Sequence, residues 1–297
     1  MSSVGRCWCL GRSPAGRGST TIPRSSATSR PRERVRPPLF PGRRAVAAEP
    51  AARSSAPRTP RRSASTPKRS AAPTLRHERA LSAEGARWVI GCDEVGRGAI
   101  AGPVGVGLCV VDISRRVPKG LRDSKLLSEP KRVELQPTVA RWALWSSVGM
   151  ASNEEIDAYG LTAALGLAGI RAFEALCASG FDVTDSVLLL DGKFDWFTPG
   201  ARAAGLTDAP PVTMRIKADM TCASVSGASV LAKVARDNLM IGHHDTHPHY
   251  GWVSNKGYGS AAHWAAINER GATPLHRHSW LRTPSLFDDA FEVEGLS

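Results

Sequence analysis

Apolar and polar positions fall into two regimes that meet near Pro73. Residues 1 to about 72 are rich in Arg, Ser, Pro and Ala and show no apolar periodicity. Such a segment cannot repay the entropy of ordering, so 1–72 is expected to be a disordered basic tail. From Pro73 the pattern becomes that of a packed domain, 73–287, followed by an acidic C-terminal tail over 288–297.

Within the domain, Leu75 to Ala86 reads as a short helix, and strands are expected at about 87–92 and 104–111. Ser128 is placed to cap a helix running to about Ala140, with Pro137 a site where it bends or ends. Trp142 to Met150 reads as a strand. Asn153 is expected to cap a short helix that Gly160 ends. A long apolar helix spans Leu161 to Ser179. Ser186 to Leu190 is a continuous apolar strand ending at Asp191, and Val212 to Ile216 is another. A helix rich in small residues runs from Thr221 to about Ile241. A His- and Gly-rich loop leads to Gly259, a helix covers about 260–270, and Pro274 to Ser285 is irregular. Strands alternate with helices after an initial hairpin, which argues for an α/β layer domain.

Charge is unevenly divided. Residues 1–80 carry 18 Lys+Arg and 3 acidic residues; of the totals of 39 and 27, residues 81–297 keep 21 and 24. The net charge of +12 is therefore a property of the tail, and it does not argue for nucleic-acid binding by the domain. Three readings compete for the tail: a basic arm adding non-specific phosphate attraction, an Arg- and Ser-rich transit peptide, or a translated upstream region without a role. The lack of motif-like order favours the third. Cys7, Cys9, Cys92, Cys109, Cys177 and Cys222 include no CxxC pair, so free thiols in a reducing compartment are expected. No apolar run was expected to approach the roughly 18 residues that span a membrane, and no signal-peptide core is seen. A cytoplasmic protein is the corresponding expectation.

The candidate chemistry is acidic. Asp93 and Glu94 follow the apolar run Trp88-Val89-Ile90, Asp191 follows SVLLL, and Asp219 follows VTMRIKA and opens a helix. In α/β sheets ligands collect where strands end and helices begin. Taken singly, an Asp there is usually an N-cap or a turn residue. Together, four carboxylates would repel one another unless cations neutralise them, and hard oxygen ligands favour Mg²⁺ or Mn²⁺. Gly96-Arg97-Gly98 follows at once, offering backbone donors and a guanidinium suited to phosphate. Lys256-Gly257-Tyr258-Gly259 presents a ring able to stack on a base or sugar. His243, His244, His247 and His249 lack a Cys partner and HExxH spacing, and read as a polar loop.

With these residues the chain resembles the ribonuclease HII family, the type 2 ribonucleases H. The resemblance rests on CDEVGRGAIAGPV, RDSKLLS, VGMASNEEIDAYG, LLLDGKFDW, IKADMTCASVSGASVLAKVARD and NKGYGSAAHWAAINERGATPLHRHSW, in family order over roughly 70% of the chain. It implies a ribonuclease H-like fold, a central mixed β-sheet flanked by helices. It implies hydrolysis of the RNA strand of RNA–DNA hybrids. It further implies incision 5′ to single ribonucleotides in duplex DNA, leaving 3′-hydroxyl and 5′-phosphate ends, with two Mn²⁺ or Mg²⁺ ions. The catalytic, metal-ligating carboxylates fall on Asp93, Glu94, Asp191 and Asp219. Substrate contacts fall on Gly96, Arg97, Gly98, Lys125 and Tyr258. The partners implied are RNA–DNA hybrid and ribonucleotide-containing duplex DNA, with no membrane and no obligate protein partner, the chain acting as a monomer. The sequence departs from the family pattern at Leu126, Gly227, Asn255 and Trp280. Rival readings are another nuclease of the same fold, a non-catalytic hybrid-binding module, and a zinc protein built on the His loop.

Overall fold

The computed structural model describes residues 72–281; the expected N-terminal tail up to residue 71 and the expected acidic C-terminal tail lie outside them. Helix α1 spans Arg76–Ala83, β1 Trp88–Val95, β2 Val104–Val111, α2 Glu129–Trp142, β3 Ala143–Ala151, α3 Asn153–Tyr159 and α4 Leu161–Ala178. There follow β4 Ser186–Asp191, α5 Phe197–Ala203, β5 Val212–Arg215, α6 Ala218–Thr221, α7 Ala223–His244, α8 Trp252–Asn255 and α9 Ala261–Arg270.

The five strands form one sheet in the order β3-β2-β1-β4-β5. β1 pairs antiparallel with β2 and parallel with β4; β2 and β3 are antiparallel, β4 and β5 parallel. Strand alternation sorts the side chains into two layers. Ile90, Cys92, Leu188 and Leu190 join the core that holds Leu165, Phe173 and Phe197 of α4 and α5. Val89, Val187 and Leu189 face the opposite way, into the cluster with Val225 of α7. Helix α7 lies very close to the sheet. A Cβ at Gly91 would fall 2.2 Å from the Ser224 backbone, and one at Gly107 would fall 2.4 Å from the Ala228 carbonyl. Only glycine admits that approach, and it brings the small-residue face of α7 under the acidic end of β1.

Several expectations are corrected. β1 does not stop at residue 92 before an acidic bend: the ladder continues through Asp93↔Gly107, Glu94↔Val106 and Val95↔Gly105. Backbone pairing with β2 overrides the low strand propensity of the two acids. α2 passes Pro137 and ends at Trp142, so β3 begins one residue later than expected. The cap of α3 is Ser152, not Asn153: its hydroxyl accepts from the Glu155 amide while the Glu155 carboxylate accepts from the Ser152 amide, a capping box. Asn153 instead donates to the Pro274 and His276 carbonyls.

α4 is long and apolar enough to cross a membrane by length and composition, against the expectation that no such run exists. Its inner face, with Leu165, Ile170, Phe173 and Leu176, is nevertheless packed into the domain core. His243 and His244 belong to the last turn of α7 rather than to a loop. Cys92, Cys109 and Cys222 are buried free thiols, as expected.

Candidate active site

Cys92 is in register with Leu190 at the last pair of the parallel β1–β4 ladder, so the next residues, Asp93 within β1 and Asp191 at the end of β4, stand side by side. Both point toward the α6–α7 face. The amide of Ala218, first residue of α6, donates to Asp191 Oδ1 at 2.7 Å. Asp219 follows in α6 and is buried. Glu94 sits on the other face of β1, half-buried, at the start of the Gly96–Gly98 loop.

The carboxylates act on one another electrostatically. Burial and the neighbouring Glu94 charge hold the Asp93 carboxyl well above its usual range, against a smaller opposing effect of the Ser229 hydroxyl. Burial and the Asp219 charge raise Asp191 in the same sense. Two cations partly compensate. Lys125 Nζ lies 3.2 Å from Asp219 Oδ2, and Arg97 lies 2.9 Å from Glu94 Oε1. Asp93 Oδ1 and Glu94 Oε2 are buried and have no hydrogen-bond partner.

Among the described residues, no three His, Cys, Asp or Glu side chains converge into a ready-made metal cage. Asp219 and Glu94 are instead paired with Lys125 and Arg97. The donor set nonetheless suits a hard divalent cation, because two buried carboxyl oxygens stand without a partner and an unsatisfied buried polar group is costly.

Asp123 is a fifth acid at this site. It is buried, accepts from the Lys125 amide at 2.9 Å, and is raised by burial and by Asp219. Ser124 connects it to α7, since Ser229 Oγ donates to Ser124 Oγ at 2.8 Å. Of these three residues the sequence singled out Lys125 alone; the apolar strand that marks the other acids is missing before Asp123.

The Gly96–Gly98 loop is held from beneath by two buried arginines that the sequence reading did not single out. Arg277 donates to the carbonyls of Gly96, Arg97, Gly102 and Pro103 at 2.7–3.1 Å. Arg236 of α7 donates to those of Ala101, Pro103 and Lys256. Burial lowers the Arg277 pKa to about 9, which leaves the group charged at neutral pH. Seven carbonyl contacts replace a carboxylate partner for these two guanidiniums.

The loop carrying Tyr258 is strapped to the same place. The amides of Ile100 and Ala101 donate to the Gly257 carbonyl, and Ala99 bridges Tyr258. The Tyr258 ring is half-buried, with the Arg236 guanidinium 5.4 Å and Lys233 Nζ 5.7 Å from its centre. Asn255, a departure from the family pattern, bonds the Tyr250 carbonyl and the Gly257 amide and so shapes this turn. Trp280, another departure, stacks on Arg277 at 4.8 Å. Gly227 faces Cys109, whose sulfur would stand 3.0 Å from an added Cβ. His263 and His276 are buried against Trp252 and bonded to each other, as packing groups of a small aromatic core.

Comparison with known proteins agrees with this geometry. The family model for ribonuclease HII matches residues 90–283. Ribonuclease HII of Streptomyces avermitilis is 45% identical over 209 residues, covering 70% of this chain and 83% of that protein. That of Roseobacter denitrificans is 41% identical over 197 residues, covering 66% and 91%. The crystal structure of ribonuclease H2 from Pyrococcus horikoshii superposes with a TM-score of 0.52 at 27% identity, covering 65% of this chain and 93% of that one. The chain belongs to the ribonuclease HII family and is a ribonuclease H, a hydrolase acting on RNA–DNA hybrids.

Proposed function

We propose that the chain cuts the RNA strand of hybrids and also incises 5′ to a single ribonucleotide embedded in duplex DNA, leaving 3′-hydroxyl and 5′-phosphate ends. The observation that carries this reading is the pair of unsatisfied buried oxygens, Asp93 Oδ1 and Glu94 Oε2, directly before a loop with open space at Gly98. Asp93, Glu94, Asp191 and Asp219 are the residues that would hold two Mg²⁺ or Mn²⁺ ions. Those ions would supply the Lewis acid that polarises the scissile phosphate and acidifies the attacking water.

The protein's own groups do the rest. Asp191 is oriented by the Ala218 amide. Lys125 and Arg97 neutralise Asp219 and Glu94 in the free enzyme and are placed to exchange those partners for substrate phosphates. Backbone groups of Gly96–Gly98 read the 2′-hydroxyl, the group that distinguishes RNA from DNA. Tyr258 stacks beside the following deoxyribose and rejects a ribose there by steric conflict, which gives junction preference without base readout.

The test compares three duplexes: all-DNA, one embedded ribonucleotide, and a uniform hybrid. Cleavage of the second but not the first is expected. Asp93→Asn should abolish cutting in Mg²⁺ or Mn²⁺, and near wild-type cutting would refute the carboxylate assignment. Tyr258→Ala should erase the preference for the junction over the uniform hybrid. Cutting of the all-DNA duplex would favour a nuclease of other specificity on the same fold.

A further inference from the structure

Arg277 fixes which way the Gly96–Gly98 loop faces. Its guanidinium is fully buried and takes the carbonyl oxygens of Gly96 at 2.7 Å and Arg97 at 3.0 Å. In a trans peptide the N–H points opposite the carbonyl of the same unit. With both carbonyls turned inward to Arg277, the amides of Arg97 and Gly98 are turned outward. Among the described residues neither amide has a hydrogen-bond acceptor, although the next amide, Ala99, closes onto Gly96. The space above Gly98 is open. Two adjacent, unspent donors thus face outward beside Glu94, aimed by a residue 180 positions away in the chain.

Other contacts leave Arg277 little freedom. Its remaining bonds go to the Gly102 and Pro103 carbonyls at the far end of the same loop. Its own amide donates to the Ile100 carbonyl, and Trp280 covers its face. A lysine could keep the charge but could not span Gly96, Arg97, Gly102 and Pro103 at once, because its ammonium is a point and not a planar fork.

We propose that Arg277 is a positioning residue for ribonucleotide recognition: it presents the Arg97 and Gly98 amides as the donors that meet the ribose 2′-hydroxyl oxygen. This rests on the reading of the loop given under Proposed function and names the residue through which that reading works.

The test is equilibrium binding by fluorescence anisotropy in EDTA, where no cleavage occurs, of a duplex with one ribonucleotide and of its all-DNA counterpart. Wild type should prefer the first, and Arg277→Lys should lose roughly tenfold of that preference, the worth of one to two net hydrogen bonds. A merely structural defect would reduce the active fraction for both duplexes alike and leave the ratio unchanged. An unchanged ratio in folded Arg277→Lys therefore overturns the assignment. If wild type itself shows no preference, the reading of the loop fails instead. Should the variant not fold, amide NMR of the wild type decides: the Arg97 and Gly98 N–H signals should shift and gain exchange protection with the ribonucleotide duplex alone. Equal responses to both duplexes would overturn the proposal.

Discussion

The ammonium of Lys125 lies 3.2 Å from Asp219 Oδ2, so a loop cation rests on one of the four acids proposed to hold metal. The Lys125 side chain is largely exposed, so this pair adds little stability, on the order of 0.2–1 kcal/mol. On the proposed reading, Lys125 exchanges this partner for a substrate phosphate. Lys125→Met should change the melting temperature only slightly. It should raise KM for hybrid substrate and lower the slope of log affinity against log salt by about one. A salt slope equal to wild type would show that Lys125 stays on Asp219 and never meets a phosphate.

Asp93 gives a stability prediction with a defined sign. Burial and Glu94 raise its folded pKa above an unfolded value of about 3.9. The folded protein then holds a proton that the unfolded chain has lost, so this group's effect on stability worsens as pH rises from about 4 through the folded pKa. Asp93→Asn should therefore melt higher than wild type in EDTA at pH 7.5, while being inactive. The gain should vanish near pH 4. Mg²⁺ or Mn²⁺ should stabilise wild type and leave the variant nearly unmoved. A variant less stable than wild type at pH 7.5 would count against an uncompensated charge at this position.

What the sequence made legible, and what it did not, follows from range. The strands around Asp93, Asp191 and Asp219 were readable because apolar runs and the acids that follow them are local patterns. That Asp93–Val95 remain in the ladder was not readable, because their pairing with Gly105–Gly107 is decided by the partner strand. Ser152 outcompetes Asn153 as a cap because Glu155 completes the box, a three-residue relation that was open to sequence reading. Arg277 and Arg236 look like any surface arginine in a sequence. Only the folded chain shows that their partners, Lys256 apart, are carbonyls more than a hundred positions away.

Glu78 offers a second pH-dependent effect, away from the site. It reaches from α1 to the start of α7, accepting from the Ser224 amide and hydroxyl at 2.8 Å each, while its other oxygen is buried without a partner. Burial raises its pKa, so here too the folded state retains a proton and stability falls as pH rises past the unfolded value of about 4.3. Glu78→Gln keeps an acceptor for Ser224 and removes the titration. Its melting temperature relative to wild type should climb from pH 4 to pH 8. Glu78→Ala removes the acceptor for the first-turn Ser224 amide of α7 and should cost roughly 0.5–2 kcal/mol at every pH, as loss of a capping acceptor does. Parallel pH curves for wild type and Glu78→Gln would exclude a buried titrating carboxyl.

Gly96 and Gly98 stand two residues apart in one loop and should respond to alanine in opposite ways. Gly96 has φ +82, and an added Cβ would sit 2.2 Å from Arg236 Nε. The left-handed backbone alone costs about 1–3 kcal/mol for an ordinary residue, and the buried arginine cannot move without releasing Pro103, Ala101 and Lys256. Gly96→Ala should therefore lose stability and, through it, activity. Gly98 has no positive φ and nothing within 4 Å of an added Cβ, so Gly98→Ala should melt close to wild type. Its methyl would instead occupy the open space through which the substrate is proposed to approach. A displacement of that order at a reacting centre costs on the order of 10²-fold in rate, so kcat/KM should fall while the fold is kept. Thermal melts and steady-state kinetics on both variants separate the roles. Full activity in Gly98→Ala would mean that the substrate does not approach the loop from this side.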